Sequence, residues 1–275
     1  MNTIDSLCVH VDASPRSGMR LALARQLATR CGARRIEAMY CRTPCFADLP
    51  LAYGAGAAGA PAFLDDLYEQ RYQRARQLFD KENAGHAMQW REIANDAVVP
   101  AMAGRALYAD LMVLGQHQPD DLDTLNTPAD FVPAVLIDSG KPAVVLPYAG
   151  SFGAIGERVL IAWKPTREAA RALAAAMPIL QRASSVHLVT DAGRTAAIAD
   201  LEACLRAHGV EAPLKQHAPL PETRPGESLL SLAADCDADL VVMGCYGHSR
   251  AREWVMGGAT RTVLASMTLP VLMAH

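Results

Sequence analysis

The sequence has little of what marks nucleic-acid-binding, membrane or secreted proteins. Its 275 residues include 26 Lys and Arg against 29 Asp and Glu, a formal net charge of −3. This balance offers no basic surface, so we expect no nucleic-acid partner. No uninterrupted apolar run is long enough to span a bilayer, and the opening MNTIDSL has no basic region followed by an apolar run. We therefore expect neither a membrane partner nor a secretory signal, and a cytoplasmic location.

Cysteine usage gives no sign of a disulfide framework or a zinc site. The seven cysteines are an odd number scattered through the chain, at positions 8, 31, 41, 45, 204, 236 and 245. We interpret them as reduced cytosolic thiols. Cys41 and Cys45 have no second pair at zinc spacing, which favours a structural or incidental role, and no metal site is predicted.

Familiar catalytic motifs are missing as well. The sequence contains no Walker-type lysine, no nucleophile elbow and no metalloprotease helix. His187 lies in an apolar strand, where a satisfied core residue is the favoured interpretation. We predict no catalytic residue, and an enzyme is the less favoured class, although a slow hydrolase stays open.

What is present is one pattern written twice. ADLMVLG at 109–115 matches ADLVVMG at 238–244, and each is followed by a proline and a short apolar run, PAVVLP at 142–147 and PVLMA at 270–274. Hydrophobic residues make up 51% of the chain, enough for each copy to bury its own core. We predict two tandem domains, 1–149 and 150–275, with the glycine-rich segment 148–157 lying between them.

Within each copy, short apolar runs alternate with helical periods. In the second copy we expect strands at 158–163, 185–189, near 210–217, at 239–244 and at 270–274, with helices between them and a final helix starting near Gly258. Pro178 should kink or shorten its helix, and Gly209 should end the next one. Alternating strands and helices predict an α/β fold with a mostly parallel sheet. The loop at 53–62 of the first copy is interpreted as a solvated insertion rather than a flap.

Four glycines follow the fourth strand of the second copy. The stretch GCYGHSRAREWVMGGAT places them at 244, 247, 257 and 258, just before the final helix. A helix start offers unpaired N–H groups and partial positive charge, and glycine lets an anion approach them. Arg250 and Arg252 could reach outer phosphate oxygens. The glycines either bind a phosphate or only shape a tight crossover.

This glycine rhythm after an apolar strand, together with VDASP at 11–15 and the repeated ADL motif, resembles the universal stress protein family. The resemblance implies two doubly wound, Rossmann-like domains of the adenine nucleotide alpha hydrolase-like kind, each with a five-stranded, mostly parallel sheet. It also implies that the two domains pair through their last strands, within one chain or in a homo-oligomer. Some members bind ATP and others do not.

Carried onto this sequence, the resemblance places phosphates and adenine at two groups of residues. Phosphate contacts would come from Gly244, Gly247, Gly257, Gly258, Ala259 and Thr260, and adenine would lie near Ala162, Trp163, Val189 and Met243. For Val189 and Met243 an ordinary core role is an equal alternative. Gly258 stands where the family has Ser or Thr, and Lys164 replaces an acidic residue that holds the nucleoside. Lys164 cannot accept a hydrogen bond, so it either attracts a phosphate or is solvated.

The first copy departs in the opposite way. It keeps the acidic residue, Asp12, but Gln118 and Pro128-Ala129 replace glycines, and aspartates at 120, 121 and 123 add negative charge. We predict that this half does not bind ATP and acts as the fused partner. The function predicted is a stress-response regulatory protein that binds ATP, or AMP or ADP, in its C-terminal domain. The alternatives are a nucleotide-free interaction or scaffold protein and a slow ATP hydrolase.

Overall fold

The computed structural model describes residues 3–42, 60–84, 87–94, 97–118, 121–124, 127–191, 196–245 and 258–275. The strands are β1 Ser6–Val11, β2 Arg35–Arg42, β3 Met88–Ala94, β4 Leu111–Gly115, β5 Ala143–Leu146, β6 Arg158–Trp163, β7 Ser185–Thr190, β8 Leu214–Gln216, β9 Leu240–Gly244 and β10 Val271–Ala274. The helices are α1 Arg16–Cys31, α2 Ala60–Asn83, α3 Val98–Ala106, α4 Phe131–Ser139, α5 Arg167–Leu180, α6 Ala196–Ala207, α7 Pro225–Asp235 and α8 Gly258–Ser266. The α/β fold and the five strands predicted for the second half are confirmed.

All ten strands form one sheet, in the order β3-β2-β1-β4-β5-β10-β9-β6-β7-β8. Every neighbouring pair is parallel except β5 and β10, which run antiparallel, with Val145 opposite Val271 and Ala143 opposite Met273. Each half therefore has the same internal strand order, and the two halves join through their last strands. This is the pairing that the resemblance implied.

Helices cover both faces of the sheet because the strand residues are apolar on both sides. One face packs against α1, α2, α5 and α6, and the other against α3, α4, α7 and α8. Along β4, for example, Leu111 and Val113 belong to the first core and Met112 and Leu114 to the second. No helix in the described ranges is both long and apolar enough to cross a bilayer.

Gly209, Pro178 and the segment 60–62 lie at or near the ends of helices. Gly209 follows the end of α6 with a φ of 76°, a left-handed conformation that favours glycine, as predicted for a helix end. Pro178 lies inside α5, two residues before its end, so it does not break the helix earlier. In the predicted loop 53–62, residues 60–62 begin α2, and residues 53–59 lie outside the described residues.

The aspartate of the repeated ADL motif ties each half together. The carboxylate of Asp239 accepts bonds from the backbone N–H groups of Gly156, Glu157 and Arg158, at 2.6, 3.1 and 2.9 Å. In the first half, Asp110 accepts from the N–H groups of Asp5 and Ser6 in the same way. The motif therefore holds the start of the first strand of each half.

Replacing Asp239 should leave three N–H groups without their acceptor. We expect Asp239→Ala to lower the free energy of unfolding by about 2–4 kcal/mol. Asp235→Ala is the matched control, because Asp235 is exposed and should change stability by less than about 0.5 kcal/mol. Urea unfolding followed by circular dichroism measures both, and equal effects of the two substitutions would contradict the role given to Asp239.

Candidate functional site

A cavity of about 420 Å³ opens at the carboxyl ends of the strands in the second half. It lies beside β6 and β9, the two neighbouring strands between which the chain order of the sheet reverses. In open parallel sheets such a switch point is where ligands bind. The lining consists of Ala162, Trp163, Lys164, Thr166, Glu168, Ala169, Val189, Thr190, Asp191, Leu220, Pro221, Glu222, Pro225, Leu229, Met243, Gly244, Gly258, Ala259 and Thr260.

The structure brings together nine of the eleven residues predicted from the sequence. The strand-end residues Ala162, Trp163, Lys164, Val189 and Met243 all line this cavity, as do four residues of the glycine stretch: Gly244, Gly258, Ala259 and Thr260. Gly247 and Gly257, with Arg250 and Arg252, lie outside the described residues. What the cavity binds stays a prediction.

Other parts of the wall were not predicted. The start of α5 contributes Thr166, whose side chain accepts a bond from the Ala169 N–H at 3.3 Å and begins the helix. Asp191 follows β7, and Leu229 belongs to α7. The position of Asp191, a polar residue directly after a buried strand, was a usable signal.

Lys164 and Asp191 lie at the ends of neighbouring strands. Their Nζ and Oδ2 atoms are 3.9 Å apart, and both side chains are partly exposed. Such a pair adds little to stability because water screens it. The pair matters for the chemistry of the cavity. Position 164 lacks an acidic group, but Asp191 supplies one nearby, directly after the neighbouring strand β7.

Glu168 places a buried carboxylate against the cavity. Burial opposes its charge, but the bond from Arg167 Nε at 2.5 Å, the Glu168 backbone N–H and Thr166 outweigh this and lower its pKa. It is also in the first turn of α5, where the helix dipole favours an anion. The cavity wall therefore carries a fixed negative charge beside α5.

Gly244 and Gly258 lack a side chain for different physical reasons. A Cβ on Gly244 would lie 2.5 Å from the backbone N of Ala169, so this glycine lets β9 pass close to α5. A Cβ on Gly258 would meet nothing within 4 Å. Gly244 is thus required by packing, whereas only Gly258 leaves space that something else could use.

The first turn of α8 is held in place by α7. A Cβ on Gly226 would be 2.8 Å from the Ala259 carbonyl oxygen and from Thr262 Cβ, which shows how closely the two helices approach. Thr260 is buried in this turn and lines the cavity. The N-terminal end of α8 is therefore presented to the cavity by a close helix contact.

Cys245, which directly follows Gly244 in the glycine stretch, is buried. Only 1% of its surface is exposed, and burial raises the pKa of its thiol to about 12, with Glu168 acting in the same direction. A thiol that stays protonated is unreactive. His248, further along the same loop, lies outside the described residues.

The corresponding place in the first half is almost full. The space there is about 20 Å³, room for a single water molecule. Arg20 fills it: its Nε donates to the His10 carbonyl oxygen at 2.8 Å, and its Nη2 lies 2.7 Å from Asp12 Oδ2. A Cβ on Gly115 would collide with the same guanidinium.

The strand register explains why one half is open and the other is not. Leu7 pairs with Leu111, and Val159 pairs with Leu240, its counterpart in the repeat. Counting on from these pairs aligns His10 with Ala162, Asp12 with Lys164 and Arg20 with Ala172. Two alanines of the open half thus correspond to a histidine and an arginine in the filled half.

The carboxylate of Asp12 is already bonded to side chains of the same half. Burial alone would raise its pKa, but the Arg20 guanidinium, with smaller contributions from His10, Ser14 and Ser17, holds it below the usual range. Of the other acidic residues in this half, Asp123 pairs with Arg74 at 2.7 Å, and Asp120 lies outside the described residues. The acidic residue to which the resemblance assigned the nucleoside is here committed to an internal ion pair.

The chain is thus an α/β protein with two doubly wound halves fused through one sheet. A family model described as the universal stress protein family matches residues 157–275, and this half of the chain belongs to that family. The predicted recognition is confirmed there, and the first half repeats the fold.

Solved structures match the chain along its length. A universal stress protein from Archaeoglobus fulgidus DSM 4304 has a TM-score of 0.73 at 16% identity, covering 99% of this chain and 97% of its own. A functionally unknown protein from Pseudomonas aeruginosa PAO1 has a TM-score of 0.58 at 16% identity, covering 98% and 92%. At these identities the likeness concerns the fold alone.

A shorter match is a universal stress protein solved in complex with cAMP. It covers 52% of this chain and 96% of its own at 18% identity, with a TM-score of 0.35, too low to bear on the ligand of the present chain. No curated protein matches the sequence significantly.

The burial of His10 makes stability depend on pH. Burial lowers the pKa of this imidazole to about 4 from 6.5; Asp12 opposes the shift and Arg20 adds to it. Between these values the unfolded chain binds a proton that the folded chain does not, so stability is lost as the pH falls from 6.5 toward 4. His10 should therefore lower the free energy of unfolding by about 2 kcal/mol between pH 7 and pH 5.

Urea unfolding at both pH values checks this, with His10→Gln as the comparison. The substituted protein should lose about 2 kcal/mol less than the unmodified protein over the same interval. Identical losses in the two proteins would show that His10 titrates normally in the folded state.

Proposed function

We propose that the C-terminal half is a regulatory module that binds an adenine nucleotide in the cavity described above. The observation that carries the proposal is the contrast between the halves: about 420 Å³ is open in one, and Arg20 fills the same place in the other. A volume of this size lies in the range of small-molecule sites.

The apolar part of the cavity suits a purine base. Ala162, Val189, Leu229 and Met243 supply apolar surface there, and Ala162 stands where the first half has His10. A flat ring gains free energy by leaving water for such a surface. Strand-end residues that would otherwise be ordinary core are thereby available to a base.

The start of α8 suits the phosphates. The first N–H groups of a helix have no partner inside the helix and carry partial positive charge. Gly258 has no Cβ between these groups and the cavity, and Thr260 adds a hydroxyl. This combination is the usual physical basis of phosphate binding at a helix start.

Asp191 is the group best suited to the ribose. The family resemblance expects an acceptor at position 164, where a lysine stands. Asp191 lies in the same wall, with its Oδ2 3.9 Å from Lys164 Nζ, and a carboxylate accepts hydrogen bonds from hydroxyl groups. We infer that the acceptor has moved to the neighbouring strand and that Lys164 orients it.

One observation favours the alternative of a nucleotide-free interaction protein. The described lining includes three carboxylates, Glu168, Asp191 and Glu222, against the single cation Lys164. This excess of negative charge disfavours a triphosphate. Comparing the affinities for AMP and ATP therefore measures how strongly the cavity recognises phosphate groups. Turnover of ATP would instead identify the hydrolase alternative.

A side chain at position 258 should block the nucleotide. Gly258→Val projects into open cavity space, and we expect affinity for AMP, ADP and ATP, measured by calorimetry, to fall at least about tenfold, or 1.4 kcal/mol. Gly104→Val is the matched control, because Gly104 also lies in a helix with nothing near its missing Cβ, but in α3 of the first half.

Two outcomes would contradict the proposal. Unchanged affinity in Gly258→Val would place the nucleotide elsewhere. Purified protein that carries no nucleotide by mass spectrometry and gives no heat with any of the three would leave the interaction protein as the function.

Asp12 should matter for stability and not for binding. Asp12→Asn removes the partner of the buried Arg20, so the free energy of unfolding should fall by about 3 kcal/mol or more. Nucleotide affinity at a temperature where the variant is folded should stay unchanged. A large loss of affinity would show that the first half takes part in binding.

A further inference from the structure

Three atoms that can ligate a metal converge at the outer edge of the second half. His187 Nδ1 lies 2.8 Å from His217 Nε2, and Cys236 Sγ lies 3.5 Å from the same His217 atom. All three atoms are within 4.8 Å of one another. The two imidazole rings are stacked, with centroids 5.1 Å apart and planes 11° apart.

The three residues come from separate elements that the fold brings together. His187 is in β7, His217 directly follows β8, and Cys236 directly follows the last residue of α7. The backbone fixes their positions: the His217 N–H donates to the Leu188 carbonyl at 2.9 Å, and the Cys236 N–H to the Leu232 carbonyl at 3.0 Å. The cluster is therefore built on ordered backbone.

The equivalent place in the first half is chemically different. Strand register aligns Glu37 of the first half with His187 of the second. Glu37 pairs with Gln89 and His187 with Lys215, so Arg91, two residues after Gln89, aligns with His217. There the carboxylate of Glu37 bonds Arg105 at 2.7 Å and lies 3.6 Å from Arg91. One half satisfies this position with ion pairs, and the other gathers two imidazoles and a thiol.

Hydrogen bonding uses this arrangement only in part. His217 Nε2 carries either one hydrogen or one lone pair, yet it faces both His187 Nδ1 and Cys236 Sγ. A cation placed between the three atoms would instead accept a lone pair from each. Imidazole nitrogen and thiolate sulfur are the ligands that zinc selects in proteins.

We propose that His187, His217 and Cys236 form a zinc-binding site, with water as the fourth ligand. A tetrahedral ion with Zn–N distances of about 2.0–2.1 Å needs the two nitrogens about 3.3 Å apart, so the rings must separate by about 0.5 Å. His217 and Cys236 are only half-buried, which leaves room for that shift and for the water. Binding replaces the thiol proton of Cys236, which passes to solvent.

The site would clamp two elements that also line the cavity. Val189 lies on β7 with His187, Asp191 directly follows that strand, and Leu229 lies on α7, which Cys236 directly follows. An ion held between β7 and α7 would fix their separation. Because it binds the folded chain alone, it should also raise the melting temperature.

The test uses the full-length reduced protein with Zn²⁺ and with Co²⁺ as a coloured substitute. Calorimetry should show one Zn²⁺ per chain, and Co²⁺ should give a thiolate charge-transfer band in the near ultraviolet and visible bands of tetrahedral geometry. In Cys236→Ser and in His217→Asn the affinity for Zn²⁺ should fall at least about a hundredfold, since loss of groups that only support a ligand already costs 10–100-fold.

Cys204→Ser is the matched control. Cys204 and His208 form a second Cys–His pair, with Sγ 3.7 Å from Nδ1. Cys204 lies on α6 and His208 directly after its end, and among the described residues no third ligand joins them. Its Zn²⁺ affinity and Co²⁺ spectrum should equal those of the unmodified protein. The proposal is overturned if the unmodified protein takes up no Zn²⁺, shows no thiolate–cobalt band, or binds equally well after Cys236 or His217 is replaced.

Discussion

The antiparallel contact between β5 and β10 is the constraint on which the rest of the architecture depends. Both strands are fully buried, and in each half they are the last strands formed by the chain. Left alone, each would present apolar residues and unpaired backbone groups at a sheet edge. Their pairing turns two five-stranded sheets into one and fixes the two switch points on the same continuous sheet.

Within that common frame the two halves have diverged in how they fill the same place. In the first half, Arg20 and Asp12 form a buried ion pair, and Arg20 also donates to the His10 carbonyl oxygen. In the second, Ala162 lines the open space at the position of His10, and Lys164 and Asp191 lie at its rim. The first half holds a buried ion pair at this place, and the second holds an open cavity.

The sequence was sufficient to predict the fold because its signals are local. Apolar runs, helical periods and the repeated ADL motif each act within a few residues, and the walls of the cavity are strand ends that such runs locate. Arg20 could not be predicted as a filler, because within a helical pattern it looks like any solvated arginine. The cluster of His187, His217 and Cys236 was missed for a related reason: about 30 and 19 residues separate its members, and only strand register and helix packing bring them together.

The hydrogen bonds of Gln116 join the open half to the filled one. Its Nε2 donates to the Leu264 carbonyl of α8 at 2.8 Å, while its Oε1 accepts from the Tyr148 N–H at 2.9 Å. The helix whose first turn borders the cavity is thus anchored near its other end to a loop of the opposite half. A tilt of α8 would therefore pull on that loop, so a movement in one half of the sheet would be transmitted to the other.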